Sequence, residues 1–254
     1  MMAAAASLAF LGGICAGSFV SVVAHRVPRR LSIVGPRSQC PSCGVQIAAY
    51  DNIPVISWLL LRGRCRKCAA PTSVRYPAVE LSVGVAFVAT VLVLWDQPAQ
   101  LALGLVFVAT LAAITLTDLE QRIIPNRILL VSAVIGVAIA AAVDPGSLPE
   151  RALAALAAGG LLLLTALVYP RGMGMGDVKL AALMGLYLGS AVAPALLIGF
   201  LVGALVGVGL ILRDGAAARK AGVPFGPFLA LGGLCGLLAG NQIIDWYLST
   251  FLGH

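Results

Sequence analysis

Residues 180–212 read LAALMGLYLGSAVAPALLIGFLVGALVGVGLIL, 33 positions without a charge. A helix crossing about 30 Å of hydrocarbon needs about 20 residues, so this run is too long for one span. Gly189, Ser190 and Pro194 offer a turn inside it, which predicts two helices, the first unusually short. Further uncharged stretches run from Met1 to Ala24, Leu81 to Trp95, Gln97 to Thr117, Ile128 to Val143, Ala152 to Pro170 and Ala221 to Ile244. Together they predict an all-α polytopic membrane protein of about eight transmembrane helices. The composition agrees: of 254 residues 60% are hydrophobic and 11% charged, and the mean hydropathy of +1.01 lies far above that of a soluble domain.

Charge placement then orients the spans. No Lys or Arg precedes the first apolar run, so it lacks the basic start of a cleaved signal peptide and reads as a retained helix. With the following loop in the cytoplasm, alternation puts Arg26, Arg29, Arg30, Arg37, Arg62, Arg64, Arg66, Lys67 and Arg75 in that first cytoplasmic loop. Arg122, Arg127, Arg171, Lys179, Arg213, Arg219 and Lys220 fall in later cytoplasmic loops, and only Arg151 falls outside. The net charge of +7 is therefore mostly a topology signal. Nucleic-acid binding is excluded by the spread of that charge over membrane-flanking loops, whereas contact with the lipid bilayer follows directly.

The hydrophilic stretch 26–77 holds four of the six cysteines, as Cys40-Pro41-Ser42-Cys43 and Cys65-Arg66-Lys67-Cys68. Two CxxC pairs separated by 21 residues have the spacing of a zinc ribbon, in which two knuckles each present two thiolates to one tetrahedral ion. Disulfides are the competing reading, disfavoured in a reducing compartment. A closed four-thiolate set leaves no open coordination position, so the zinc is structural, holding a loop too small to fold well alone. Arg62, Arg64, Arg66 and Lys67 stand beside the second knuckle to offset its negative charge. Cys15 and Cys235 lie in apolar helices and read as packing residues.

Acid is scarce, and two aspartates stand at the ends of apolar runs. Asp118 follows the third span and Asp177 closes Gly172-Met173-Gly174-Met175-Gly176-Asp177 before the sixth. Carboxylates beside lipid are costly and usually functional. On one membrane side the two can meet across a bundle and titrate as a unit, one activating water and the other polarising a carbonyl, as in an aspartyl protease. Gly174 and Gly176 would support that loop, and the glycines at 172, 174 and 176 would admit an extended peptide. The alternatives are structural: either aspartate can be a helix N-cap, and Glu120 can pair with Arg122 or Lys179. An ion or metal transporter with the aspartates as coupling sites and a noncatalytic scaffold displaying the zinc ribbon are the competing functions.

These residues resemble the bacterial type IV prepilin peptidases, membrane aspartyl proteases of the GxGD class. The matching blocks span nearly the whole chain. They are Gly17-Ser18-Phe19, Arg26-Val27-Pro28, the first CxxC, Asp51-Asn52-Ile53-Pro54-Val55-Ile56-Ser57-Trp58, Arg62-Gly63-Arg64-Cys65-Arg66-Lys67-Cys68 and Arg75-Tyr76-Pro77 with Val79-Glu80-Leu81. Asp118 with Ile124-Pro125, Gly174-Met175-Gly176-Asp177-Val178-Lys179-Leu180 and Pro224-Phe225-Gly226-Pro227 complete the series.

The resemblance implies an enzyme of the bacterial cytoplasmic membrane whose site faces the cytoplasm. Such an enzyme cuts the basic leader of prepilins and pseudopilins of type IV pili and type II secretion after a glycine, then methylates the new N-terminal amine with S-adenosylmethionine. By position it implies Asp118 and Asp177 as the dyad and Cys40, Cys43, Cys65 and Cys68 as the zinc ligands. It further implies three regions: 1–25 as first helix, 26–77 as a cytoplasmic zinc-binding loop associated with methylation, and 78–254 as the protease domain. No glycine-rich fingerprint locates the methyl donor, so methylation rests on the resemblance. Two positions depart from the family pattern: Asn126 stands for the aspartate usual after Ile-Pro, and Ser21 for an asparagine near the end of helix one.

The remaining features have ordinary explanations. Glu80 pairs with Arg75 or serves cofactor or leader binding, and His25 anchors the interface. Gly199, Gly203 and Gly207 form a stripe for helix packing, and Asp96, Asp144 and Glu150 are solvated on the outer side.

Overall fold

The computed structural model describes residues 1–170, 173–214 and 223–253. Arg171, Gly172, Arg219 and Lys220, used in the readings above, lie outside the described residues. The described chain is helical: α1 Met2–Arg26, the short α2 Ile56–Leu60, α3 Arg75–Val93, α4 Pro98–Gln121, α5 Asn126–Val143, α6 Leu148–Val168, α7 Met175–Leu188, α8 Val192–Asp214 and α9 Gly226–Tyr247. Among the described residues, seven stretches are long and apolar enough to cross a membrane, and one of them, Met175–Arg213, is broken. The break is a 3₁₀ turn over Gly189–Ala191, where Gly189 takes φ +59°. The sequence placed a turn there. At 14 residues α7 spans about 21 Å, less than the hydrocarbon thickness, so the pair α7–α8 supplies one short helix and one full one.

Two compact units form, Met1–Trp95 and Asp96–His254. In the first, α1 packs on α3 with opposite direction: a Cβ on Gly13 would lie 2.7 Å from the Cα of Gly84, and one on Gly17 2.8 Å from the Cα of Glu80. α3 starts at Arg75, ahead of the apolar stretch, and carries Glu80 inside the helix. The loop between α1 and α3 is mostly irregular, with two isolated antiparallel bridges, Gln39 with Gln46 and Arg64 with Pro71.

In the second unit α6 packs on α7 and α8 on α9. Apolar contact between helices gains little in lipid, so close approach of small residues has to hold them. A Cβ on Gly185 would lie 2.5 Å from the carbonyl of Ala154, one on Gly159 2.9 Å from Ala182, and one on Gly236 2.6 Å from Ala195. Of the predicted stripe, Gly199 faces the Phe228 carbonyl and Gly203 the Phe225 ring, while Gly207 has open space around it. Phe107, Ile114, Leu180, Met184 and Leu229 are fully buried, and the Phe107 and Tyr187 rings stack at 5.0 Å. A polar seam crosses this core: Tyr187 donates to the Ser132 carbonyl at 2.7 Å, and Ser132 Oγ meets Thr110 Oγ1 at 2.8 Å. Every hydroxyl in that seam is paired, as burial requires.

Arg151, the cation that broke the topology count, is buried. Its Nε donates to Ser147 Oγ at 2.9 Å and its Nη1 to the Leu186 and Tyr187 carbonyls at 3.2 and 2.7 Å. It satisfies carbonyls that α7 leaves open at its C-terminal end. Its neighbour Glu150, expected to be solvated, accepts the Ser190 N–H at 3.2 Å. These adjacent side chains therefore clamp the break between α7 and α8. Cys15 is exposed rather than packed, and Cys235 is half-buried.

Gly185→Ala should force α6 and α7 apart and cost about 2 kcal/mol, seen as a lower unfolding temperature in detergent. Gly160→Ala, in open space on α6, should leave that temperature unchanged or slightly raised.

Candidate functional site

Asp118 stands in the last turn of α4, which ends at Gln121. A carboxylate there faces the negative end of a helix dipole, and it is only 6% exposed. It does not cap α5, which begins eight residues later with Pro125 at its N-cap. Its Oδ2 accepts the N–H of Gly226 at 2.8 Å. Gly226 is the first residue of α9, with Phe225 as N-cap and a proline in the first turn. That N–H is one of the donors a helix leaves free at its start, and the positive end of the α9 dipole comes with it. A Cβ on Gly226 would lie 2.7 Å from Oδ2, so no side chain fits between α9 and the carboxylate.

Asp177 sits in the first turn of α7, three residues after the N-cap Gly174, and is half-buried. The cap position therefore belongs to Gly174. The Asp177 N–H bonds to the Gly174 carbonyl at 3.1 Å. Gly174 has φ −80° and ψ 145°, open to any residue, so its left-handed freedom is not used. Gly176 matters through approach: a Cβ there would be 3.0 Å from Ile124 Cβ.

The loop joining α4 to α5 is pinned to the first turn of α7. Arg122 reverses the chain at φ +54°, Ile124 packs on Gly176, and Lys179 Nζ donates to Asn126 Oδ1 at 2.9 Å. The pins bring together the two aspartates from α4 and α7, near enough that the charge of Asp118 acts on Asp177. A polar cavity of about 280 Å³ lined by Asp144, Glu150, Arg151 and Asn241 contains neither aspartate.

In the first unit, the sulfurs of Cys40, Cys43, Cys65 and Cys68 lie within 4.8 Å of one another and can hold a metal ion. Cys40 Sγ and Cys68 Sγ are 3.8 Å apart, and a tetrahedron with metal–sulfur bonds of about 2.3 Å has an edge of about 3.8 Å. All six cysteines are free. The two knuckles repeat one pattern. Cys40 N–H bonds to the Val45 carbonyl and Gly44 N–H to the Cys40 carbonyl, while Cys65 N–H bonds to Ala70 and Ala69 N–H to Cys65, all at 2.9–3.0 Å. The residue after each second cysteine takes positive φ, Gly44 at +69° and Ala69 at +55°.

Backbone N–H groups of Cys43 and Ser42 hold the Cys40 thiol down at about 6. At Cys68 the Ala70 N–H favours the thiolate, yet burial and protons shared with the other three sulfurs push the thiol up to about 11. Arg66, expected to offset the cluster's charge, instead makes a two-pronged ion pair with Asp51 at 2.6–3.0 Å and lies over the Tyr50 ring. The pair holds the Asp51 carboxylate below its usual range through the Arg66 hydrogen bonds. It ties the second knuckle to the turn at Ala49–Asn52.

Glu80 is 7% exposed. Its Oε2 accepts the Val55 N–H at 2.7 Å, with Ser18 also in reach. Val55 is held at φ +61°, strained for a β-branched residue. Glu80 thus anchors the loop to the α1–α3 pair. A cleft of about 270 Å³ opens between α1 and the loop, lined by Phe19, Val22, Arg26, Val34, Arg37 and Asn52 among others.

The role of Gly226 escaped the sequence reading, which quoted Pro224-Phe225-Gly226-Pro227 only as a block. The signal was present: Gly-Pro opening an apolar run marks a helix start with a free N–H.

Residues 11–94 match the bacterial peptidase A24 N-terminal domain, and residues 105–208 match the type IV leader peptidase family. The first match contains the four cysteines and Glu80, the second both aspartates. The chain is 38% identical to a prepilin leader peptidase/N-methyltransferase of Aeromonas hydrophila, with 97% of this chain and 94% of that protein covered. It is 34% identical to the protein of that name in Bacillus subtilis, with 97% and 99% covered. No solved structure matches the chain significantly.

Gly44→Ala should loosen the first knuckle by about 1 kcal/mol, whereas Ala69→Gly should leave the second as firm or firmer. Resistance of the metal site to a chelator is the measurement.

Proposed function

Because the chain belongs to the type IV leader peptidase family, we propose that it is a membrane aspartyl peptidase that removes the leader of prepilins and pseudopilins. The observation that carries this reading is the approach of Asp118 and Asp177, two costly carboxylates on different helices. One carboxylate, ionised, takes a proton from water as the oxygen attacks the scissile carbonyl carbon. The other, protonated, gives its proton to the carbonyl oxygen, and collapse of the tetrahedral intermediate expels the amine with a proton from the dyad. The Gly226 N–H occupies Oδ2 of Asp118, which fixes the carboxylate's orientation before substrate arrives. The site works at the cytoplasmic margin of the bacterial inner membrane, where a basic leader precedes an apolar pilin helix.

N-methylation of the new terminus comes to this chain from the same membership. Only cleavage frees that amine, so cutting precedes methylation. S-adenosylmethionine supplies an electrophilic methyl group when bound, and the cleft of the first unit offers apolar walls at Phe19, Val22 and Val34 with Arg26 and Arg37 for a carboxylate. The four cysteines hold structural zinc, as their tetrahedral spacing supports.

Asp118→Asn and Asp177→Asn should each lower prepilin cleavage at least about 10³-fold. Gly226→Ala, which displaces the Asp118 carboxylate, should lower it about 10²-fold. Cleavage at the wild-type rate by either Asn variant refutes the dyad. Mass analysis of the product N-terminus with S-adenosylmethionine present should show one added methyl group.

The metal has its own pH signature. Zinc needs all four sulfurs as thiolates, so protons compete with the ion for them. Zinc, about one per chain at neutral pH, should be lost progressively on acidification, and Cys40→Ser with Cys65→Ser should remove it at every pH.

A further inference from the structure

Among the described residues, one buried side-chain nitrogen or oxygen has no hydrogen-bond partner, the Nε2 of Gln121. A buried donor left unpaired is expensive, and in a folded protein it calls for an explanation. Gln121 is the last residue of α4, three positions beyond Asp118 and so on nearly the same helix face. Side chains on a helix lean toward its N-terminus, which carries the Gln121 amide back toward the level of Asp118. Two donors around the aspartates are already engaged: the Gly226 N–H serves Asp118 and Lys179 Nζ serves Asn126. A peptide strand laid across the aspartates brings backbone carbonyls that need donors wherever the strand displaces water.

Resting on the peptidase reading above, we propose that Gln121 Nε2 is a substrate-binding donor, kept unpaired in the free enzyme to take a backbone carbonyl oxygen of the substrate peptide close to the scissile bond. The orphan costs stability in the free protein and is satisfied only in the complex.

This trade gives a test that a merely structural glutamine would not pass. Full-length wild type, Gln121→Leu, Gln121→Met and Asp118→Asn are compared in detergent for thermal unfolding and for KM and kcat on a prepilin. Both apolar variants should unfold at the same or a higher temperature, because the orphan is gone. Their kcat/KM should fall about tenfold, the worth of one hydrogen bond, with the loss mainly in KM and the pH profile unmoved. Unaltered kcat/KM in both apolar variants overturns the proposal, and so does a lowered unfolding temperature, which would assign Gln121 a structural task. A wild type that leaves prepilin whole overturns the peptidase reading and this proposal with it. A wild type that cuts, beside an inactive Asp118→Asn and fully active Gln121 variants, overturns this proposal alone.

Discussion

Helices in hydrocarbon gain little from apolar contact, so the second unit depends on backbones close enough to touch. Glycine and alanine make this possible: Gly185 lies on the Ala154 carbonyl, and Gly236 packs on Ala195. The same constraint shapes the candidate site. Because Gly226 has no side chain, the start of α9 comes within hydrogen-bonding distance of Asp118. Because Gly176 has none, Ile124 settles on the first turn of α7. Two close approaches thus bring together carboxylates 59 positions apart in sequence, and each aspartate keeps a geometry that its own helix would not impose.

The electrostatics follow from this packing. Asp118 occupies the unfavourable end of α4 and is compensated by the favourable end of α9. Asp177 lies at the favourable end of α7. Both carboxyl groups thus stand at helix termini. The Lys179 to Asn126 bond closes the loop onto α7.

In the first unit a different device does the ordering. The loop has few buried apolar residues, and its shape comes from two matched knuckles, the Arg66–Asp51 pair and the buried Glu80 carboxylate receiving Val55. The four sulfurs stand close enough to hold a metal ion within that framework.

The sequence by itself determined the membrane class, the helix count and the break at Gly189, because hydrocarbon thickness and backbone satisfaction leave few solutions. It also singled out the cysteine set, whose spacing is local, and the two aspartates, whose cost made them conspicuous. Tertiary structure alone decided what those residues meet. Asp118 proved not to cap the next helix, and Gly226 to be its hydrogen-bond donor from 108 positions away. Arg151, read as a stray loop cation, closes the C-terminal end of α7, and Arg66 turns to Asp51 instead of the cysteines. Each of these depends on which helix ends lie side by side. Period and charge along a chain describe one helix at a time, while a contact between two helix ends is set by packing that no single segment encodes.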